Sequence, residues 1–206
     1  MDNILERYSK LPLGNICDAN GKTGNMDSGI KPIGNSMKVV GLAYTAKCHP
    51  GDNLGIFLGM HKAPAGSVLV VDAKGQDQFG HFGEIMATAC MKLGITGLVI
   101  DGGCRDAADI EALGFPVFCR GLNPGGTVKE TKGTQGEPII CGGLLVRTGD
   151  VIAADRDGVV VVAAEKILSV LEGAEAIARK EVDVLERIER GETTLEIYKF
   201  PRLERE

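Results

Sequence analysis

Three charged residues carry the side chains best suited to chemistry in this chain: Glu84, Arg105 and Asp106. Arginine presents a planar fork of N–H donors that fits a carboxylate, or the carboxylate and keto oxygen of a 2-oxo acid. Aspartate offers hard oxygen ligands of the kind that Mg²⁺ and Mn²⁺ prefer. The adjacent Arg–Asp pair therefore indicates a site for a keto acid and a divalent metal, with Asp106 as the direct ligand and Glu84 acting through water.

This combination predicts lyase chemistry that needs no Schiff-base lysine. The metal would polarise the keto oxygen and stabilise an enolate, and a metal-bound water oriented by the glutamate would transfer the proton. Each residue also has a purely structural interpretation: Asp106 as the N-cap of the next helix, Glu84 as a complement to a helix N-terminus, and Arg105 as a surface cation. Their joint placement beside Gly102-Gly103 favours a site over these separate roles.

The sequence between these residues predicts a βαβ unit that brings them together. Residues 84–93 lack proline and stop at Gly94, as a helix does, and residues 95–101 form a β-branched, apolar run. Upstream, residues 67–72 predict a strand followed by a glycine-containing loop. Because both strands of a βαβ unit end at one edge, we expect the glutamate and the Arg–Asp pair to converge. The free N–H groups of the helix's first turn would add an anion site, and His81 is close enough to line it.

The remaining chain predicts a mixed α and β domain. A short hairpin is indicated where Asp157-Gly158 stands between two apolar runs, and residues 121–137 are rich in loop-forming residues. The fold class that follows is α/β: a single-domain sandwich over residues 1–206, with a βαβ core, hairpin strands and a long C-terminal helix. The further predicted elements are helices over 2–10, 53–62, 107–113 and 164–190, strands over 37–47 and 116–119, and short strands within 139–162.

Composition narrows the classes of function. The net charge of −5, the 4% of aromatic residues and the absence of a Lys/Arg run argue against direct binding of nucleic acid. No basic and apolar leader or membrane-length apolar run is present, so we expect no membrane association and a cytoplasmic protein. Gly21-Lys22-Thr23 resembles the end of a phosphate-binding loop, but Ile16 occupies the position of the required earlier glycine.

The six cysteines are scattered, with no C-x-x-C and no histidine at zinc-ligand spacing. We expect reduced core thiols, and only Cys104, beside the Arg–Asp pair, is near enough to the chemistry to matter.

The predicted helix over 164–190 has an apolar seam that one carboxylate interrupts. Glu181 takes a position within this seam. It either lies at the border of the seam, solvated or paired with a Lys or Arg, or it is directed inward and requires a polar partner. The charged tail over 191–206 contains Ile197, Tyr198 and Phe200, which could attach it to a neighbour. The apolar seam consists of Ile167, Leu171, Ala174, Ala178, Leu185 and Ile188.

Taken together, these motifs resemble those of the RraA-like family. The family signature is an acidic residue, twenty further residues and Arg-Asp, which Glu84 and Arg105-Asp106 match. The family includes divalent-metal aldolases for 4-hydroxy-4-methyl-2-oxoglutarate and 4-carboxy-4-hydroxy-2-oxoadipate, and the regulator of ribonuclease E activity A. The likeness continues through Asp18-Ala19, Gly51-Asp52-Asn53-Leu54, the run from Gly97 to Gly102, Gly149-Asp150-Val151 and the run from Asp155 to Val162.

The resemblance implies a role for each candidate residue. Arg105 would bind the carboxylate and keto oxygen of pyruvate, and Asp106 would ligate Mg²⁺ or Mn²⁺. Glu84 would hold metal-bound waters, and Glu181 would reach the water shell of a neighbouring subunit's metal. The resemblance also implies an α/β sandwich of the swivelling-domain type. This domain would assemble into a trimer or hexamer with shared active sites. The substrate cradle would be formed by Gly83, Glu84, Ile85 and Met86.

The predicted activity is therefore that of a class II aldolase that cleaves a 4-hydroxy-2-oxo acid to pyruvate, with oxaloacetate decarboxylation as a related reaction. The alternative is a non-catalytic regulator that binds ribonuclease E. The sequence locates no residue that would bind a second carboxylate of the substrate.

Overall fold

A computed structural model describes residues 1–200, and residues 201–206 of the predicted charged tail lie outside the described residues. The helices are α1 (Asp2–Ser9), α2 (Leu13–Ala19), α3 (Leu54–Lys62), α4 (Glu84–Lys92), α5 (Ala107–Leu113), α6 (Ile167–Glu189) and α7 (Thr194–Tyr198). The strands are β1 (Lys31–Pro32), β2 (Val39–Lys47), β3 (Ser67–Phe82), β4 (Gly97–Cys104), β5 (Val117–Cys119), β6 (Gly121–Leu122), β7 (Thr134–Gln135), β8 (Ile139–Cys141), β9 (Leu144–Val146), β10 (Val151–Asp155) and β11 (Gly158–Val162).

One large mixed sheet forms the frame of the molecule. Its order is β1-β5-β4-β3-β2-β10-β11, with β6 beside β4 and β7 beside β2, while β8 and β9 form a separate hairpin. Strands β2 to β5 run parallel, and β1, β10 and β11 run antiparallel to their neighbours. The fold is thus the predicted α/β class, with a βαβ core, hairpin strands and a long C-terminal helix.

The two edges of the large sheet approach each other, so that the sheet is nearly closed like a barrel. Lys31 of β1 donates a hydrogen bond from Nζ to the carbonyl oxygen of Asp157, at 2.6 Å, in the turn before β11. Asn25, ahead of β1, forms an isolated bridge with Val160 of β11. Closure of this kind leaves little exposed strand edge.

The predicted βαβ unit is present as β3–α4–β4, but its first strand is longer than predicted. Strand β3 does not end in a loop after Asp72; it continues to Phe82 because residues 76–82 still pair with β4 through successive register shifts. Strand β4 also differs from the predicted strand over 95–101, because it starts at Gly97 and runs through Gly102-Gly103 to Cys104. Glycine is required there, since a Cβ on Gly103 would meet the Phe79 carbonyl oxygen at 2.6 Å.

Other predicted elements lie within about two residues of their expected bounds. Strand β2 starts at Val39 rather than residue 37, and the hairpin at Asp157-Gly158 joins β10 to β11. The predicted helix over 164–190 is a 3-10 turn, Ala164–Lys166, followed by α6. No helix within residues 1–200 is long and apolar enough to cross a membrane.

Helix α6 has two dissimilar halves. Ile167, Leu171 and Ala174 of the first half are buried in a core shared with α1, α2 and strands β10 and β11. In the second half Val182 and Leu185 are 57% and 61% exposed. The first half therefore anchors the helix, and the second half presents an apolar face to the outside.

Candidate functional site

The βαβ unit brings the predicted residues to one edge. Strand β4 ends immediately before Arg105-Asp106, and α4 begins at Glu84 across the same edge. The backbone N–H of Glu84 donates a hydrogen bond to Asp106 Oδ2 at 3.2 Å. Gly83 is the close-approach residue here, because a Cβ at that position would meet Asp106 Oδ2 at 2.4 Å. The convergence expected from the sequence is thus present in the backbone of α4 and the side chain of Asp106.

Asp106 does not act as the N-cap of α5. It occupies the N-cap position, but its side chain accepts no hydrogen bond from the helix, and its backbone is left-handed, with φ 57° and ψ 37°. A non-glycine residue in this region is uncommon and costs free energy, and such residues cluster at functional sites. This conformation directs the carboxylate to the first turn of α4 instead of its own helix, so the capping interpretation is wrong.

These residues open onto a cleft of about 310 Å³. A volume of this size lies at the lower end of the range for small-molecule sites, about 300–1,000 Å³. The lining residues come from the start of α3, the end of β3, the start of α4, the two residues after β4 and the loop after β6. They are Asn53, Phe57, Gly80, His81, Gly83, Ile85, Met86, Arg105, Asp106, Gly126, Thr127 and Lys129.

Arg105 is held in the cleft by its backbone, while most of its guanidinium remains free. Its N–H donates to the Phe82 carbonyl oxygen at 2.9 Å, and Gly80 leaves room for its side chain, since a Cβ there would meet Arg105 Cβ at 2.8 Å. The guanidinium Nε lies 3.6 Å from Asp106 Oδ2. Because the terminal nitrogens form no hydrogen bond to the described residues, the arginine fork is available to a ligand.

Glu84 contributes its backbone to the cleft wall more than its side chain. The side chain is exposed and is absent from the cleft lining, whereas Gly83, Ile85 and Met86 are present. The Ile85 N–H has no hydrogen-bond partner among residues 1–200. A free N–H in the first turn of a helix, with the positive end of the helix dipole, suits a carboxylate.

Two buried polar residues complete the inner wall. His81 accepts from the Gly51 N–H at Nε2 (3.1 Å), which leaves Nδ1 to donate to the Phe79 carbonyl oxygen (3.1 Å). Burial lowers the pKa of His81 below its ordinary value, opposing protonation. Asn53 donates from Nδ2 to the His81 carbonyl oxygen at 2.9 Å. From the sequence, His81 is only a minor candidate and Asn53 is not one, although both line the cleft and Asn53 belongs to the Gly51-Asp52-Asn53-Leu54 motif.

The donor set fits a hydrated divalent metal better than a protein-enclosed one. Among residues 1–200 no group of three or more His, Cys, Asp or Glu side chains is placed to hold a metal ion. Asp106 is 40% exposed, and its Oδ1 accepts no hydrogen bond from those residues. Mg²⁺ is commonly held by one or two carboxylates, waters and the substrate. Asp106 therefore suits such an ion as a single protein ligand.

Two other candidates from the sequence do not line the cleft of their own chain. Glu181 is exposed on α6, accepts a hydrogen bond from Asn15 Nδ2 at 2.7 Å, and does not line the cleft of its own chain. Its partner is thus an amide, not a cation. Cys104 is fully buried, and burial raises the pKa of its thiol well above the ordinary value. It is a core thiol, as are Cys48, Cys90 and Cys141, and the cysteines within residues 1–200 form no disulfide.

The sequence and the fold of this chain are similar to those of known proteins. The family described as RraA-like, Aldolase/RraA, matches residues 13–161. A Halalkalibacterium halodurans protein named "Putative 4-hydroxy-4-methyl-2-oxoglutarate aldolase" is 38% identical over 78% of this chain and 76% of its own length. The solved structure of Streptomyces coelicolor RraAS2, described as an unusual member of the RNase ES inhibitor RraA family, superposes with a TM-score of 0.79 at 25% identity and covers 92% of this chain and 98% of its own.

A third likeness concerns the fold alone. The structure of the RNA-processing inhibitor RraA from Thermus thermophilis superposes with a TM-score of 0.68 at 23% identity, over 74% of this chain and 93% of its own. The family match stops at residue 161, so all of α6 and α7 lie beyond it.

Proposed function

We propose, from the premise that this chain belongs to the RraA-like family, that it is a divalent-metal-dependent aldolase that cleaves a 4-hydroxy-2-oxo acid to pyruvate. One observation carries the proposal. The Asp106 carboxylate does not cap its own helix α5 but accepts a hydrogen bond from the first turn of α4, and it lies beside a largely unpaired Arg105. A protein that only bound other proteins would have no physical need for this strained pair at the mouth of a cleft.

The proposed division of labour follows from the side-chain chemistry. Arg105 would bind the carboxylate and the keto oxygen of the substrate through its fork, with the free Ile85 N–H as an additional donor. As the bond between the third and fourth carbons breaks, negative charge develops on the keto oxygen, and the guanidinium stabilises it. A divalent metal on Asp106 would supply Lewis acidity at the same oxygen. Glu84, exposed at the rim, would hold the water that takes the proton of the 4-hydroxyl as this bond breaks and returns a proton to the third carbon, which gives pyruvate and a second carbonyl product.

Loss of carbon dioxide from oxaloacetate leaves negative charge at the same keto oxygen. A site that stabilises this charge would therefore also decarboxylate oxaloacetate to pyruvate, which we propose as a side activity. Of the residues named so far, Arg105 and Asp106 would serve both reactions equally.

The direct test couples pyruvate release to lactate dehydrogenase. Purified protein would be supplied with 4-hydroxy-4-methyl-2-oxoglutarate or oxaloacetate, with Mg²⁺ or Mn²⁺, after EDTA, and after readdition of the metal. We expect turnover that EDTA abolishes and the metal restores. Asp106→Asn should be inactive, whereas Asp109→Asn, an exposed carboxylate in the first turn of α5, should match the wild type. Activity that survives metal removal or the Asp106→Asn substitution would contradict the mechanism.

The proposed cleft is completed by a neighbouring subunit in a trimer or hexamer. Support comes from the outer half of α6, where Val182 and Leu185 are exposed and Glu181 lies on the helix away from its own cleft. Complementation between two variants tests this. We expect the Glu181→Gln and Asp106→Asn proteins to be inactive alone and to regain part of the activity when they are unfolded together and reassembled. Activity returns because some sites of the mixed oligomers contain both intact residues. No recovery in assembled mixed oligomers would place Glu181 outside the site.

A non-catalytic regulator of ribonuclease E is the second candidate, and the likeness to RraAS2 favours it. Saturable binding to the ribonuclease, without turnover of any keto acid in the presence of metal, would support the regulator and overturn the aldolase. Binding that Arg105→Lys leaves unchanged would further separate the interaction surface from the cleft.

A further inference from the structure

Two buried cysteines lie side by side directly behind Arg105. Cys104 is the last residue of β4 and Cys119 the last residue of β5, and they are 0% and 4% exposed. The Cys119 thiol donates to the Gly121 carbonyl oxygen at 3.3 Å, and Gly121 is paired in register with Gly103, the residue before Cys104. At this short range a hydrogen bond from the Cys104 thiol lowers the pKa of Cys119. The two sulfurs are therefore direct neighbours in the core.

Among the described residues this contact is confined to one pair of thiols. A single buried thiol behaves as a small apolar side chain, and two thiols in contact can in addition be joined by oxidation. Cys104 and Cys119 thus have a chemical capacity that the other cysteines lack. Burial raises the pKa of those other thiols, with no contribution from a second sulfur: Cys17, Cys48, Cys90 and Cys141.

Strand β4 transmits any movement of Cys104 to the candidate site. Cys104 precedes Arg105 in the chain, and its carbonyl oxygen accepts from the Asn123 N–H at 2.8 Å. The Arg105 N–H donates to the Phe82 carbonyl oxygen at 2.9 Å. A disulfide needs its two Cβ atoms about 3.8 Å apart, whereas neighbouring strands lie about 4.8 Å apart. Oxidation would therefore draw the ends of β4 and β5 together and strain the hydrogen bonds that place Arg105.

The oxidation balances with hydrogen peroxide as the oxidant. The Cys119 sulfur, the more exposed of the two, attacks one peroxide oxygen, the O–O bond breaks, and a sulfenic acid and one water form. The Cys104 sulfur then attacks the sulfenic sulfur, the S–O bond breaks, and a second water leaves with the Cys104 thiol proton. Two electrons pass from the thiols to the peroxide, so that two thiols and one peroxide give one disulfide and two waters. A dithiol such as dithiothreitol reverses the step by exchange.

We propose that hydrogen peroxide joins Cys104 and Cys119 in a reversible disulfide, and that this bond switches off the adjacent site by displacing Arg105. Formation of the disulfide is independent of the reaction, whereas its effect on turnover rests on the aldolase function proposed above. A displacement near 1 Å lowers kcat/KM by about a hundredfold.

The first test identifies the disulfide without any measurement of activity. Trypsin cleaves after Arg105 and Arg120, which places the two cysteines in separate peptides, residues 93–105 and 106–120. The protein is treated with peroxide, its free thiols are alkylated, and it is digested without reductant. We expect the two peptides to be joined, at the sum of their masses less two hydrogen atoms, and to separate in dithiothreitol. Peptides that stay separate after peroxide treatment would overturn the proposal.

The second test measures the effect on the site. In the wild type, peroxide should lower kcat/KM for pyruvate release about ten- to hundredfold, and dithiothreitol should restore it. Cys119→Ala should keep its activity under the same treatment, with Cys104→Ala in its place if that variant does not fold. Cys17→Ser, which removes a less buried thiol, should be inhibited like the wild type. A joined peptide pair with unchanged kcat/KM, or inhibition of Cys119→Ala equal to that of the wild type, would overturn the switch.

A binding measurement separates failure of the switch from failure of the aldolase function. If the reduced wild type releases pyruvate from no keto acid, calorimetric titration with pyruvate in the presence of Mg²⁺ replaces the turnover assay. Weaker binding to the oxidised protein than to the reduced protein would support the switch, and only the aldolase function would fail. Equal binding to the two forms, or no binding to either, would overturn the switch.

Discussion

Two Arg–Asp pairs are attached to strand β4, and the protein satisfies them very differently. Asp101 and Arg120 have side chains that are 9% and 23% exposed; Asp101 Oδ1 contacts the guanidinium, and Oδ2 accepts from the Gly142 N–H at 2.8 Å. Arg105 and Asp106 are 43% and 40% exposed and lie 3.6 Å apart. The buried pair uses its hydrogen-bonding capacity inside the protein, and the exposed pair retains it for a ligand. Residue type alone therefore does not identify a ligand site. The distinguishing feature is hydrogen-bonding capacity that the protein itself leaves unused.

Removal of the buried carboxylate should give the largest effect and should act on stability. In Asp101→Ala, Arg120 loses its buried partner and the Gly142 N–H its acceptor, so we expect the free energy of unfolding to fall by about 3 kcal/mol. Urea denaturation measures it. Asp27→Ala removes the other, 49% exposed partner of Arg120, at 3.3 Å, and should cost less than about 1 kcal/mol. Equal costs would remove the distinction between the pairs.

The exposed pair should respond in the opposite way. Arg105→Lys keeps the charge but loses the planar fork, so kcat/KM for pyruvate release should fall about a hundredfold, while the free energy of unfolding changes by less than about 0.5 kcal/mol. Arg156→Lys, in the exposed turn between β10 and β11, is the matched control and should keep full activity. A stability loss as large as that of Asp101→Ala would show that Arg105 is structural.

A smaller effect is expected when the geometry of the exposed pair is disturbed without removal of any functional group. In Gly83→Ala the new Cβ would overlap Asp106 Oδ2, at 2.4 Å, and the carboxylate must move. We expect a ten- to hundredfold loss of kcat/KM, about the effect of a misplacement near 1 Å. The backbone at Gly83 is extended and accepts alanine. Gly14→Ala in α2, with nothing within 4 Å of the added Cβ, should leave activity unchanged.

The smallest effect concerns His81, the buried titratable group behind the exposed pair. Because burial lowers its folded-state pKa, the unfolded chain binds a proton first as the pH falls below about 6.5. The stability that neutral His81 contributes is present above that pH and is lost progressively below it, by at most about 1.4 kcal/mol per pH unit. Urea denaturation between pH 7.5 and 5.5 should show this slope in the wild type and a shallower one in His81→Gln. Equal slopes would assign the pH dependence to other groups.

Local sequence determined the elements whose identity depends on near neighbours. The α4 helix, the apolar start of β4 and the hairpin at Asp157-Gly158 were all predictable, because periodicity, helix breakers and turn residues act over only a few positions. The chain order strand–helix–strand then implied that Glu84 and Arg105-Asp106 share an edge, since a βαβ unit ends both strands on the same side.

Tertiary structure decided the features that depend on distant partners. Strand β3 extends to Phe82 only because β4 supplies its hydrogen bonds through shifted register. The Asp106 carboxylate turns from α5 to the α4 N–H, 22 positions away in sequence, and no local propensity predicts that choice. Asp52 fixes the loop below Lys129 from nearly eighty residues away. Such contacts are selected by packing and by the need to satisfy buried polar groups, which a linear pattern does not encode.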